Sequence, residues 1–135
     1  MKVLTLRQPW AWALFFAGKD IENRTWKTNY RGDLAIHTAK GMTKREYNEA
    51  KNFMLDIGVP LVPNPDELEF GTIVGIIEVV GCIHERDYNF GSEESAWFQG
   101  PYGWIVQNPR QVKPVEAKGG LSLWDYAGKL EVLNA

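Results

Sequence analysis

The chain has 135 residues, 44% of them hydrophobic, with a formal net charge of -2, enough to bury one core and too short for two comfortable ones, so one domain over residues 1–135 is expected. No stretch approaches the roughly 18 uninterrupted apolar residues of a membrane span, and the opening MKVLTLRQPW lacks the apolar run of a secretory signal. The lone cysteine, Cys82, has no partner for an internal disulfide and reads as a buried structural thiol, so a cytoplasmic chain without a membrane partner is expected.

Val3 to Arg7 alternates like a short strand, and Trp10, Ala13, Leu14 and Ala17 fall at helical spacing between Pro9, suited to a first helical position, and Gly18, suited to the stop. Ile21 to Trp26 and Leu34 to Thr38 read as extended, with a turn at Tyr30 to Asp33. Thr43 with Glu46 three residues on forms a capping box that opens a helix to Ile57, closed by Gly58, with Tyr47, Ala50, Met54 and Ile57 as its buried stripe. Pro60, Pro63 and Pro65 mark Val59 to Glu69 as a surface loop. Thr72 to Cys82 is a β-branched strand in which Gly75 and Gly81 would let a small sheet curve toward closure. Gly103 to Gln107 and Val112 to Val115 read as two further strands, Leu121 to Tyr126 as a short helical turn, and the last residues as an edge strand. The expected fold is a small α+β domain, a closed or nearly closed β-barrel with short flanking helices.

Charge is unevenly spread along the chain. Residues 1–51 hold ten Lys and Arg against five acids, a local balance of +5, and the rest hold five against twelve, or -7. The N-terminal part is thus a candidate seat for an anionic ligand, unless folding intermixes the two blocks.

The segment GKDIENRTWKTNYRG, residues 18–32, concentrates ionisable and aromatic side chains. If Asp20 to Trp26 is extended, Glu22 and Arg24 share a face, where they form either a structural ion pair or a carboxylate-oriented guanidinium that meets a phosphate or base edge. Lys19, beside Gly18, suits a phosphate contact or, if buried, proton transfer. Trp26, Tyr30 and Tyr102 offer rings for stacking an unpaired base, with Arg7, Lys27, Arg31 and Lys40 as further cations. Glu78, a carboxylate inside TIVGIIEVV, must face solvent or meet a cation, with Lys19 or Arg24 its expected partner. His37 and His84 are the only histidines. No metal-ligand spacing, phosphate loop, nucleophile elbow or dinucleotide fingerprint occurs, so no metal and no cofactor is expected.

In this order, LTLRQPWAWAL (4–14), GKDIENRTWKTNYRGDLAIHTAK (18–40), GTIVGIIEVVGC (71–82) and PYGWIVQNPR (101–110) resemble the ASCH family, the activating signal cointegrator homology domains of the PUA-like superfamily, and most of all its coactivator C-terminal-domain branch. The resemblance implies a PUA-like barrel, a cleft lined by the GxKxxExR motif at Gly18, Lys19, Glu22 and Arg24, and binding of single-stranded or duplex nucleic acid, RNA or DNA, or of a nucleobase. A shorter branch consists of amidohydrolases that deacetylate N4-acetylcytidine with a lysine, a threonine and a glutamate. Lys19 matches that lysine, while Glu22 occupies the threonine's place.

Three functions are therefore carried forward. In the first, Arg7, Lys19, Arg24, Lys27, Arg31 and Lys40 contact nucleic acid, Trp26, Tyr30 or Tyr102 stack on a base, and affinity falls steeply with salt. In the second, Lys19 activates water or a nucleophile and Glu22 or Glu78 shuttles the proton in hydrolysis of a modified nucleoside. The third is a protein-interaction module that meets a partner chain through exposed aromatics.

Overall fold

The computed structural model describes residues 1–87 and 95–133. Strand β1 (Lys2–Leu6) leads to helix α1 (Trp10–Phe16), then β2 (Ile21–Arg24), β3 (Gly32–Thr38), helix α2 (Lys44–Asp56), β4 (Thr72–His84), β5 (Tyr102–Glu116) and β6 (Leu123–Asp125). The strands form one sheet in the order β2-β5-β4-β3-β1-β6, with β1 parallel to β3 and every other pair antiparallel. Two helices beside a six-stranded, strongly bent sheet make an α+β fold of the PUA-like barrel type. The hydrogen-bonded ladder is open between β2 and β6, and Arg24 Nη2 reaches across from β2 to the Thr5 carbonyl of β1 at 3.1 Å.

The bending is written into the pairing of β4 with β5, whose register shifts three times. Between Glu78↔Gln107 and Ile76↔Arg110, the single residue Ile77 faces Asn108 and Pro109. This bulge takes up a proline with no N–H to give and an asparagine at φ 53°. A second, wider irregularity sets the single residue Val74 against residues 112–114 and takes up Pro114. The two strands expected at Gly103 to Gln107 and Val112 to Val115 are therefore one 15-residue strand, because a bulge carries the chain through Asn108–Pro109 between them. Gly75 is required by packing: a Cβ there would lie 2.3 Å from the Phe15 ring and 2.8 Å from the Arg110 carbonyl.

The chain from Leu121 to Tyr126 also departs from expectation. It supplies β6, antiparallel to β1, rather than a helical turn. The free edge of β1 offers backbone partners, and Trp124 locks the pairing by donating Nε1–H to Thr5 Oγ1 at 3.0 Å and standing edge-on to His37. His37 is buried and bonded at both nitrogens. Nε2 carries a proton, since its partner is the Ala117 carbonyl, 2.6 Å away, and carbonyls only accept, while Nδ1 lies 3.1 Å from Thr5 Oγ1.

Helix α2 begins at the expected capping box, Thr43 Oγ1 accepting from Glu46 N and Glu46 Oε1 from Thr43 N, both at 3.0 Å. Tyr47, Ala50 and Met54 are buried as expected, and Ile57 is half-buried at its end. Pro9 caps α1 rather than opening it, and Gly18 takes φ +70° just past its C-cap, Ala17. The proline-rich loop is irregular apart from one 3-10 turn, Pro65–Glu67. Residues 111–113 pair with residues 131–133 through the isolated bridge Val112↔Val132, where an edge strand was expected.

Leu4, Leu14, Ile36, Ile77 and Trp104 fill the hollow of the sheet, while Val3, Ala35, Ile73 and Val112 pack its other face. Because both faces are covered at β3, Leu34, Ala35 and Ile36 are buried in succession without alternation. Cys82 is half-buried against the first cluster. Among the described residues no helix is long and apolar enough to cross a membrane.

Candidate functional site

The end of α1 sets up the site. The positive φ at Gly18 turns the chain back so that Lys19 N donates to the Ala13 carbonyl at 3.2 Å, which sends the Lys19 side chain inward. That side chain is 1% exposed, and its ammonium donates to the Ile21 carbonyl and lies 2.9 Å from Glu22 Oε1. Glu22 pairs with Trp104 in the β2–β5 register and so faces the interior. Its second oxygen, Oε2, lies 3.1 Å from Arg24 Nε.

One carboxylate is thus shared by two cations. The Glu22–Arg24 approach is an electrostatic contact and not a directed hydrogen bond, since Arg24 Nε, though buried, finds no aligned acceptor. Arg24 Nη2 is anchored on Thr5, and no described residue engages Nη1. The guanidinium carbon stands 6.0 Å from the Trp104 ring and the Lys19 ammonium 5.8 Å from the Trp10 ring. Burying an ammonium without a partner would cost several kcal/mol, so Glu22 is what makes Lys19 tolerable there.

These groups open onto a cleft of about 260 Å³ lined by Thr5, Leu6, Arg7, Trp10, Lys19, Glu22, Asn23, Arg24 and Gln99. Its far wall is held by Asn23, whose Oδ1 accepts from Gln99 N at 2.8 Å and Gly100 N at 3.2 Å, and whose Nδ2 donates to the Trp97 carbonyl at 3.0 Å. Arg7 stands on the rim, its guanidinium donating to the Gly41 carbonyl at 2.8 Å with Glu46 at 3.6 Å. With Glu22 set against Lys19 and Glu46 against Arg7, the cleft keeps a surplus of about one positive charge, that of Arg24.

The fold brings Arg7, Lys19, Glu22 and Arg24 together and leaves the other sequence candidates outside the cleft wall. Trp26 packs edge-on against Trp104 at 4.7 Å, and its carbonyl accepts from Trp104 Nε1. Lys27 is exposed on the β2–β3 connection. Arg31 folds onto that connection, donating to the Tyr30 carbonyl at 2.8 Å, and the Tyr30 hydroxyl donates to the Asp33 carbonyl. Burial, and then the Asp33 charge, push the Tyr30 hydroxyl above its ordinary value. Tyr102 pairs with Arg24 in register but stands edge-on to His84 at 4.8 Å. Lys40 borders a different, shallow depression beside Glu116 and Lys118.

The expected partnership of Glu78 with Lys19 or Arg24 is not the one observed. Glu78 lies in β4 between Asp33 and Gln107, and accepts from Gln107 Nε2 at 3.2 Å. Arg110 is the cation in its neighbourhood, and grips Asp33 with both nitrogens at 2.7 and 3.1 Å. The hydrogen bonds from Arg110 hold the Asp33 carboxyl below its usual range, and those to Asp33 raise Arg110. Alternation along β4 is broken by bulges, so the face of Glu78 was not legible from spacing. Asn23 and Gln99 were missed because they meet across 76 residues and neither carries a charge that would mark it. Among the described residues no three His, Cys, Asp or Glu side chains group as a metal site.

The bent sheet, the helices and a cleft built on the Lys19–Glu22–Arg24 strand define the class: the chain belongs to the ASCH domain family, whose model matches residues 4–116. Within that class it is similar to activating signal cointegrator 1 of Homo sapiens, 28% identical over 133 residues, and to the protein of the same name from Mus musculus, 26% identical over 133 residues. Each match covers 94% of this chain but 22% of the relative, so the chain spans about a fifth of the length of these curated proteins.

Proposed function

We propose that the chain binds nucleic acid, RNA or DNA, by taking one unpaired base or nucleoside into the Lys19–Glu22–Arg24 cleft. The observation that carries this reading is an Arg24 guanidinium braced by Glu22 and the Thr5 carbonyl beside the Trp104 ring, with Nη1 unengaged by any described residue, next to a Lys19 ammonium over the Trp10 ring. A braced guanidinium loses little freedom when it meets a base edge or phosphate. Size supports the same class of ligand: about 260 Å³ lies just below the roughly 300–1,000 Å³ of drug-sized pockets, room for a nucleoside and not for a stretch of strand. Membership of the ASCH family supports it further. Equilibrium titration with short single-stranded RNA and DNA and with free nucleosides tests it. Arg24→Ala is expected to weaken binding by about 1.5–3 kcal/mol, the usual worth of a hydrogen bond from a charged group, and affinity untouched by that substitution would count against the cleft.

A second reading rests on the buried Lys19 ammonium 2.9 Å from Glu22 in a nucleoside-sized cleft. In it, water adds to the acyl carbon of an N4-acylated cytidine, the C–N bond breaks, and N4 takes the proton shuttled by Lys19 and Glu22, releasing cytidine and the acid. Lys19-dependent release of acetate from N4-acetylcytidine, followed by chromatography, would establish this reading, and its absence would leave binding alone.

A further inference from the structure

Away from the cleft, the outer face of α1 borders a second concavity of about 410 Å³ between the proline-rich loop and the far end of β5. Phe15, Phe16, Leu68, Val74 and Leu133 supply its apolar lining. Past Trp12 and Phe16 the surface continues into a further depression walled by Ile57, Pro60 and Leu61. Phe16 is 59% and Leu61 77% exposed, so large apolar side chains stand in water along this face.

The walls are fixed by buried anchors rather than by loose packing. Gln8, 3% exposed, donates Nε2–H to the Glu69 carbonyl at 3.0 Å and accepts from Trp12 N at 2.9 Å, tying the loop to α1. Tyr47 holds the same loop from beneath by donating to the Pro63 carbonyl at 2.6 Å. Phe15 lies on the bare backbone of Gly75, where a Cβ would come within 2.3 Å of its ring.

Charge identifies the occupant. The ionised side chains lining the groove are Glu67 and Glu69, with Asp66 beside them on the 3-10 turn. All three are exposed, and among the described residues none is in an ion pair. Among the described residues no Lys or Arg lines either depression. We propose that this groove docks a short apolar segment of another protein flanked by Lys or Arg, its apolar side chains seated on Phe16 and Leu68 and its cations on the acidic lip. Such a surface would let the chain hold a protein partner while the cleft remains free.

Fluorescence anisotropy with labelled peptides tests it: one apolar core flanked by lysines, the same core flanked by glutamates, and the lysine peptide with its apolar residues replaced by serine. The lysine-flanked apolar peptide is expected to bind best. Phe16→Ser is expected to abolish that binding, and Glu69→Lys to weaken it about three- to tenfold while strengthening the glutamate-flanked peptide. Both sites are exposed, so the variants should keep the native circular dichroism and bind nucleic-acid probes as the unaltered chain does. Equal binding of both flanks, or binding indifferent to Phe16→Ser, would overturn the proposal. So would a dimer in sedimentation that Phe16→Ser dissolves, since a second copy would then be the occupant.

Discussion

Glu22 is the residue that Lys19 and Arg24 share, and the energetics of the site follow from it. Glu22→Ala leaves the Lys19 ammonium buried and unpaired, for which about 3–5 kcal/mol of lost stability is expected in urea denaturation. The double variant Lys19→Met with Glu22→Leu should recover part of that loss, because it removes the stranded ammonium while Arg24 still loses its carboxylate. Asp33 offers a pH-dependent counterpart. Hydrogen bonding from Arg110 lowers its folded pKa, so its stabilisation is complete above the ordinary carboxylate range and is lost as pH falls through the lowered value. Asp33 is 48% exposed, so screening holds the effect to below about 1 kcal/mol, and Asp33→Asn should flatten the acid limb of stability against pH by no more than that. At this scale Lys19, Glu22 and Arg24 could be grouped as candidates from the sequence, because they lie within six consecutive residues at and just before β2. The sequence did not reveal Asn23 and Gln99, which are joined only by the fold.

Among the elements, α2 was the most legible, because a capping box and a terminal glycine are local signals that tertiary contacts did not override. Thr43→Ala is expected to cost about 1 kcal/mol, seen as a lower urea midpoint with an unchanged slope. β4 and β5 were legible as strands but not in their pairing. Asn108–Pro109 looked like a break and is a bulge, because a strand in a bent sheet can shed a hydrogen bond where two residues face one. Gly75→Ala probes that bending, since its Cβ must displace Phe15 and the Arg110 backbone, and a loss of about 1–3 kcal/mol is expected. β6 was misread because a segment of three paired residues is too short to show a period, and what made it a strand is the vacant edge of β1.

Over the whole molecule, the cation-rich first 51 residues do not become one basic face. Lys27 and Arg31 lie on the β2–β3 connection and Lys40 beside a separate depression. The steep salt dependence expected from the sequence gives way to a shallow one. With Arg24 and Arg7 meeting one or two phosphates, log affinity for a single strand should fall against log salt with a slope of about -0.7 to -1.4. The bent α+β fold could be anticipated from glycines within strands and from the ASCH-like segments. The order β2-β5-β4-β3-β1-β6 could not, because β1 pairs with β3 and β6 across distances that no local pattern records.

The most direct test of the cleft is chemical-shift mapping by NMR during titration with a short single-stranded RNA. Binding as proposed shifts the amides of Thr5, Leu6, Lys19, Asn23 and Gln99, and those shifts disappear in Arg24→Ala. Shifts confined to Lys27, Arg31, Lys40 or Lys118, or none at saturating RNA, would contradict a nucleic-acid site at Lys19, Glu22 and Arg24.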